Sequence, residues 1–166
     1  LHHMKEPEKG WAVLKDLLKP DGVMRIALYS EIARRPIQEA IDLMKSKGYT
    51  ADKKGMRRFR EECRSLVSKE TWKVLSDSRD YYVLSEYRDL LFHAQEHQFT
   101  TLRIKEALES LDLSLMYFDV NQQISDKYKK TYPEDQNATD LEKWHKFEER
   151  HPGIFRGMYA FWCSCV

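Results

Sequence analysis

The chain has 166 residues, of which 42% are hydrophobic and 33% charged, with a formal net charge of +1. This length supports one sizeable core, and the near balance of charge carries no overall bias toward nucleic acid. No apolar run approaches the roughly 18 residues that a membrane-crossing helix needs, and the charged stretch Lys5-Glu6-Pro7-Glu8-Lys9 is unlike a secretory leader, so a cytoplasmic protein is expected.

Glu6 to Lys19 reads as a helix, with Trp11, Leu14, Leu17 and Leu18 at helical spacing and Pro7 suited to a first turn. Pro20-Asp21-Gly22 stops it. The short apolar run Val23–Tyr29 reads as a strand buried on both faces, hence in a parallel sheet. A helix, a turn and a buried strand form the second half of a βαβ unit whose first strand is expected upstream of Leu1. From Ile32 to about Leu91 the pattern is helical. Ile37, Ala40, Ile41 and Met44 make one stripe, and Gly48 stands at a C-cap position. A charged helix covers Lys53 to Val67, a short one Trp72 to Leu75, and another Tyr81 to Leu91. A third strand is possible near Phe92–Phe99. Leu102, Ile104, Ala107, Leu108 and Leu111 fit a helix capped by Thr100 or Thr101. Ser114–Val120 reads as a strand. From Asn121 onward the chain reads as polar and helical, with the aromatic tail Trp144, Phe147, Phe155, Tyr159, Phe161 and Trp162. The three cysteines are Cys63, Cys163 and Cys165. They suit reduced thiols, because Cys163-Ser164-Cys165 supplies only half a metal site.

Four stretches carry candidate chemistry. His93-Ala94-Gln95-Glu96-His97 matches H-x-x-E-H, in which two histidines one helical turn apart bind zinc and the glutamate activates water. The ligand geometry needs a helix, whereas this segment runs directly into Gln98-Phe99-Thr100-Thr101, which looks like the start of another one. A third ligand is also required, and Glu148 and Glu149 are marked by nothing beyond being acidic. The preferred reading is a polar segment lining a cleft or bonding to backbone. His2-His3 reads equally as a purification-tag remnant or as native sequence at the carboxyl end of an upstream strand, the edge where open α/β sheets bind ligands. Tyr29-Ser30-Glu31 ends the clearest strand. Glu31 there can hold a polar group or act as a base, while the simpler role is Ser30 as helix cap with Glu31 at the positive helix end. Lys53, Lys54, Arg57, Arg58, Arg60 and Arg64 form a basic run that can grip phosphate or RNA. Glu61 and Glu62 interrupt it, and such runs are usually solvated faces laced with i,i+4 pairs, so nucleic acid is not an expected partner.

The stretch LHHMKEPEKGWAVLKDLLKPDGVMRIALYSEIARR resembles the segment of class I S-adenosylmethionine-dependent methyltransferases that begins at the end of the fourth strand. LFHAQEHQFTTLRIKEALESLDLSLMYFDV resembles the sixth-strand region, the following helix and the seventh strand. YKKTYPEDQNATDLEKWHKFEERHPGIFRGMYAFWC is similar to the C-terminal extension of a bacterial subgroup often fused to tetratricopeptide repeats. The resemblance covers nearly the whole chain and favours native origin for His2-His3. It implies a helix-rich α/β fold, a partial Rossmann-like sheet of strands 5, 6 and 7 with the end of strand 4. Residues 1–120 would be the C-terminal half of the methyltransferase domain, with 31–91 a helical insertion or lid and 121–166 a helical extension on the same domain.

The family holds its cofactor with a glycine-rich turn and a strand-end acid in the first half. Here the six glycines, at 10, 22, 48, 55, 153 and 157, never form G-x-G. The expectation is a fragment of a methyltransferase, inactive as this chain alone, whose parent moves a methyl group from S-adenosylmethionine to an unidentified acceptor. By the strand-end rule and the resemblance, Leu1 and His2 belong near the cofactor and His3, Tyr29, Ser30, Glu31 and His97 near the acceptor. No residue stands out as the catalytic base. The competing readings are a helical interaction domain that dimerises through the exposed edge of Val23–Tyr29, and a zinc hydrolase using His93, Glu96 and His97.

Overall fold

The structure, a computed structural model, describes residues 1–93 and 95–166; Ala94, inside the H-x-x-E-H stretch, lies outside the described residues. In chain order the elements are α1 (Pro7–Asp16), β1 (Val23–Ser30), α2 (Glu31–Ser46), α3 (Lys53–Leu66), α4 (Lys69–Ser76), a 3-10 turn (Arg79–Tyr81), α5 (Leu84–Leu91), β2 (Gln98–Phe99), α6 (Thr101–Ser110), β3 (Leu113–Phe118), α7 (Gln122–Thr131), α8 (Leu141–Arg150) and β4 (Tyr159–Cys165). The fold is α/β and helix-rich. It separates into one unit of Leu1–Ala33 with Gln95–Val166 and a second of Arg34–Ala94.

Local chemistry explains most of the helix starts. Pro7 occupies the first turn of α1, where its missing N–H costs nothing. Thr100 accepts the Arg103 N–H at 3.1 Å to cap α6, Asn121 caps α7 from Ile124 N at 2.9 Å, and Asp140 accepts from Glu142 and Lys143 to cap α8. Asp52 does the same for α3 through Lys54 and Gly55. Gly55 has to be small, because a Cβ there would run into the Thr50 carbonyl.

The first unit is built on one mixed sheet in the order β2-β1-β4-β3. β1 runs parallel to β2 only at Tyr29↔Gln98 and Ser30↔Phe99. Along the rest of its length it pairs antiparallel with β4, from Val23↔Ser164 to Leu28↔Tyr159. β4 also pairs antiparallel with β3, from Leu113↔Cys165 to Phe118↔Phe161. Two expectations are corrected here. The tail beyond α8 is not helical: Tyr159, Phe161 and Cys163 are buried and alternate with half-buried Ala160, Trp162 and Ser164, the period of a strand. And β1 is not a strand of a purely parallel sheet. Its burial alternates, with Ile26, Leu28 and Ser30 inside, and its long partner is antiparallel. A short apolar run reports burial but not the direction of its neighbour. The possible strand at Phe92–Phe99 shortens to Gln98–Phe99.

The core of this unit is aromatic. Trp144 stacks on Tyr128 at 3.9 Å between ring centres, meets Phe118 at 5.2 Å and Phe155 at 5.5 Å, and donates its indole N–H to the Ala138 carbonyl at 2.8 Å. Phe161 links this group to Trp11 of α1 at 5.9 Å. Rings of this size supply much of the burial energy of a small unit.

The second unit is helical. Phe59, Cys63, Leu75, Tyr81, Tyr87 and Leu91 form its buried centre, with Tyr81 and Tyr87 edge-to-face at 5.2 Å. Burial pushes the Cys63 thiol up to about 11, so it is an inert core thiol. Glu39 of α2 ties in α4. It accepts hydrogen bonds from Ser68 N and Ser68 Oγ, both at 3.0 Å, and from Thr71 Oγ1 at 2.5 Å.

These donors hold the Glu39 carboxyl below its ordinary range. The Thr71 hydroxyl contributes most, the Ser68 N–H next, and partial burial opposes them. A depressed carboxyl stabilises the fold fully above the unfolded-state pKa, and that stabilisation disappears as pH falls through the lower folded value. Glu39→Ala is therefore expected to cost about 1 kcal/mol near neutral pH after solvent screening. In urea melts the gap between this variant and the parent should close below about pH 4.

Candidate functional site

The carboxyl ends of β1 and β2 point the same way, at Ser30 and Phe99. Around them gather most of the residues singled out from the sequence. The chain turns at its start, with Met4 N donating to Leu1 O at 2.8 Å. This turn is tied to the segment before β2 by three contacts. His97 N donates to His2 O at 2.8 Å, His3 Nδ1 meets Gln95 O at 3.2 Å, and Gln95 Nε2 donates to Met4 O at 3.2 Å. Gly10 of α1 permits the turn to sit close, since a Cβ there would meet the Met4 and Leu1 side chains.

The rings cluster at this end. His2 lies 4.2 Å from His3 and 4.5 Å from Tyr29 between ring centres, and His3 lies 6.1 Å from Tyr29. His2, Tyr29 and His97 are half-buried, while His3 and Gln95 are exposed. The hydrogen bonds select tautomers. His2 Nδ1 faces the Ala27 carbonyl at 3.3 Å and His3 Nδ1 faces the Gln95 carbonyl. A carbonyl only accepts, so each Nδ1 carries a proton and, in the neutral ring, the basic lone pair is on Nε2. At His97 the assignment rests on the other nitrogen: the Gln95 amide, 3.4 Å away, donates to Nε2, which leaves the proton on Nδ1.

Arg103 of α6 braces the floor of the cluster. It donates to Gln98 O at 3.0 Å and pairs with Glu8 of α1 at 2.5 Å, and its guanidinium lies 4.0 Å from the centre of the Phe99 ring. Partial burial works to raise the Glu8 carboxyl. The hydrogen bond from Arg103, a backbone hydrogen bond, and the charges of Arg103 and His97 outweigh it and hold Glu8 below its usual range.

Ser30 points inward. Its hydroxyl accepts the Ala33 N–H at 2.9 Å, capping α2, and donates to Glu148. Glu148 is 0% exposed and also accepts from the Tyr159 hydroxyl. Burial first, then the carboxylate charge and its hydrogen bond, push the Tyr159 phenol well above its usual range. Glu148 thus joins α8 to the end of β1 and the start of β4. Glu31 is exposed in the first turn of α2. Leu1 packs its side chain on the core of the first unit.

The H-x-x-E-H stretch comes after the end of α5 at Leu91, and its described residues are outside any helix. The one-turn spacing that zinc ligation needs is therefore not realised. Among the described residues no group of three His, Cys, Asp or Glu side chains is placed to hold a metal ion. Cys163 is buried in β4 with its thiol raised to about 11, chiefly by burial. A separate cleft of about 460 Å³ between α6, β3 and the start of α8 includes Lys105, Glu109, Ser114, Asp140 and Glu142, and none of the candidate residues.

Sequence reasoning had no role for Gln95 or Tyr159, and named Glu148 only as a metal ligand. A signal for Glu148 exists. It falls on the apolar stripe of α8 with Leu141 and Trp144, at i, i+3 and i+7, where an acid has to be buried and paired. Gln95 reaches the start of the chain through contacts 91 and 92 residues apart, which leave no local pattern.

No family model matches the chain. An uncharacterized protein of Synechococcus sp. is 30% identical over 129 residues, a region that takes in 71% of this chain. The chain spans 30% of the length of that relative.

The buried Glu148 knot generates a direct test. Tyr159→Phe leaves one carboxylate oxygen without its phenol donor and is expected to lower unfolding free energy by about 1–3 kcal/mol in urea titrations. A loss within experimental error would show that the phenol is not what satisfies this acid.

Proposed function

We propose that the chain is the acceptor-side part of a class I S-adenosylmethionine-dependent methyltransferase acting on an unidentified methyl acceptor. The observation that carries this reading is the gathering of His2, His3, Tyr29 and His97 beside the carboxyl-terminal residues of β1, where β2 joins it in parallel. That edge is where open α/β sheets bind their ligands. The order helix, turn, strand, with β4 returning antiparallel between β1 and β3, is compatible with the closing half of a Rossmann-like sheet. The relative's greater length leaves ample room for a cofactor-binding half.

The residues present do not by themselves form a holder for the cofactor. The Leu1 side chain packs into the core, the His2 carbonyl is already taken by the His97 N–H, and no glycine-rich turn exists among the 166 residues. What these residues do supply is orientation and proton acceptance. Methyl transfer needs the acceptor held in line and, for a protonated acceptor, a base. The carbonyls of Ala27 and Gln95 fix the rings of His2 and His3 with Nε2 as the basic atom, and an imidazole is suited to that work near neutral pH.

A second reading rests on the edge of β1. β2 pairs only with Tyr29 and Ser30, so among the described residues Val23–Leu28 has a strand partner on the β4 side alone, and Val23 is exposed. Such an edge accepts an upstream strand of the same protein under the first reading, or a second copy of this chain under an interaction-domain reading.

Calorimetry separates the two. S-adenosylmethionine titrated into this chain is expected to give no heat, and titrated into the longer protein with its upstream mononucleotide half it is expected to bind. A longer protein that also stays silent would sink the methyltransferase reading. A concentration-dependent dimer in sedimentation, lost in Val23→Lys, would favour the second.

A further inference from the structure

The two units differ in charge. Arg34–Ala94 holds 14 Lys and Arg against 10 Asp and Glu, while the remainder of the chain holds 14 against 17. The near-neutral total therefore hides a basic helical unit. Its excess is concentrated on α3, which carries six basic and two acidic residues.

The arrangement on α3 is regular. At 100° per residue, Lys53, Arg57, Arg60 and Arg64 fall within an arc of about 60° and run along about 16 Å of helix. Met56, Phe59 and Cys63 are buried on a separate face, centred about 100° around the helix from this arc. The i,i+4 pairing expected of a solvated charged face occurs on the flank, where Arg58 holds Glu62 at 3.0 Å and Tyr49 donates to the same carboxylate. Among the described residues none of Lys53, Arg57, Arg60 and Arg64 is in an ion pair. Lys53 and Lys54 also stand in the first turn, at the helix end where cations are least welcome, next to the capping carboxylate of Asp52. A sequence that keeps cations against the helix dipole and leaves them unpaired is arranged for an external anion.

Aromatic rings continue this track. The Arg64 guanidinium lies 5.9 Å from the Trp72 ring centre, and Arg60 donates to the Tyr82 carbonyl at 3.3 Å. Tyr82 is 62% exposed, yet its hydroxyl is anchored to Ser76 O at 3.0 Å and its ring rests against Tyr81 at 5.4 Å. It is a flat ring held in place with solvent access. A line of unpaired cations ending beside anchored, exposed aromatic surface matches how single strands are bound: phosphates on the cations, a base stacked on the ring. An acidic protein segment would use the cations but has no need of the ring.

We propose that this face of α3, with Tyr82 and Trp72, binds single-stranded nucleic acid. The proposal concerns the helical unit alone and stands apart from the methyl-transfer reading. It is tested on the whole chain by fluorescence anisotropy with a labelled oligouridylate of about a dozen nucleotides, without S-adenosylmethionine. Binding is expected to weaken with salt at a log–log slope of about −3, the value for four phosphates on a single strand. Arg57→Glu with Arg64→Glu should weaken it at least about tenfold, and Tyr82→Ala about tenfold, with Tyr82→Trp retaining it. Circular dichroism melts of the variants should match the parent, since the changed side chains are on the surface. Two results overturn the proposal. One is no binding at low salt. The other is binding that polyglutamate competes away as well as oligouridylate does and that Tyr82→Ala leaves unchanged, which would assign the face to an acidic protein.

Discussion

The placement of β4 is the constraint on which the first unit depends. This seven-residue strand enters between β1 and β3 and supplies each with its long partner. Phe161 sits opposite Ile26 on one side and Phe118 on the other, and touches Trp11 of α1. Without β4, β1 would keep only its two-residue contact with β2, and the aromatic core would lose the strand beneath it. Closing this arrangement means bringing Val23 to Ser164 across most of the chain. Contacts of that separation carry a large loop-closure entropy, which the buried pairing of Phe161 with Ile26 and Phe118 helps to offset.

Glu148 is a consequence of the same constraint. The start of β4 arrives beside the end of β1 and beneath α8, bringing the Tyr159 and Ser30 hydroxyls to one buried carboxylate. A buried acid is tolerated only when its oxygens are satisfied. Ser30 also caps α2, so this acid helps set where β1 stops and α2 begins. The residues that face outward at that junction, Tyr29 beside His2 and His3, inherit their position from it. Ser30 turns inward and Tyr29 turns to the other side, because alternate residues of a strand point to opposite faces.

The legible part of the sequence was local. Trp11 on α1, the Pro20-Asp21-Gly22 stop, the run Val23–Tyr29 and the Thr100 cap each declare themselves within one or two turns of chain. The strand-end rule then brought His2, His3, Tyr29 and His97 to one place, since it needs only the direction of β1. The tail strand was missed because its period-two burial is short, comes after a long helical stretch, and has both partners far away in the chain. Tyr159, Phe161 and Cys163 alternate with Ala160, Trp162 and Ser164 over seven residues, and their aromatic content drew notice ahead of their spacing. Gln95 was invisible for a related reason, since the contacts that tie it to the start of the chain are long-range.

The H-x-x-E-H stretch shows how context decides the meaning of a motif. In a helix its two imidazoles would share a face. Here the helix ends at Leu91, and the described residues between it and the two residues of β2 are irregular. His97 then belongs to the turn at the start of the chain, through its backbone N–H to His2 and its ring to Gln95. The same principle applies to charge. A basic run interrupted by two acids reads as a solvated face when counted, and as a one-sided track when placed on a wheel, because Glu62 is drawn off by Tyr49 and Arg58. In both cases the residue types are necessary for a function, and only the geometry that their neighbours impose selects which function they can serve.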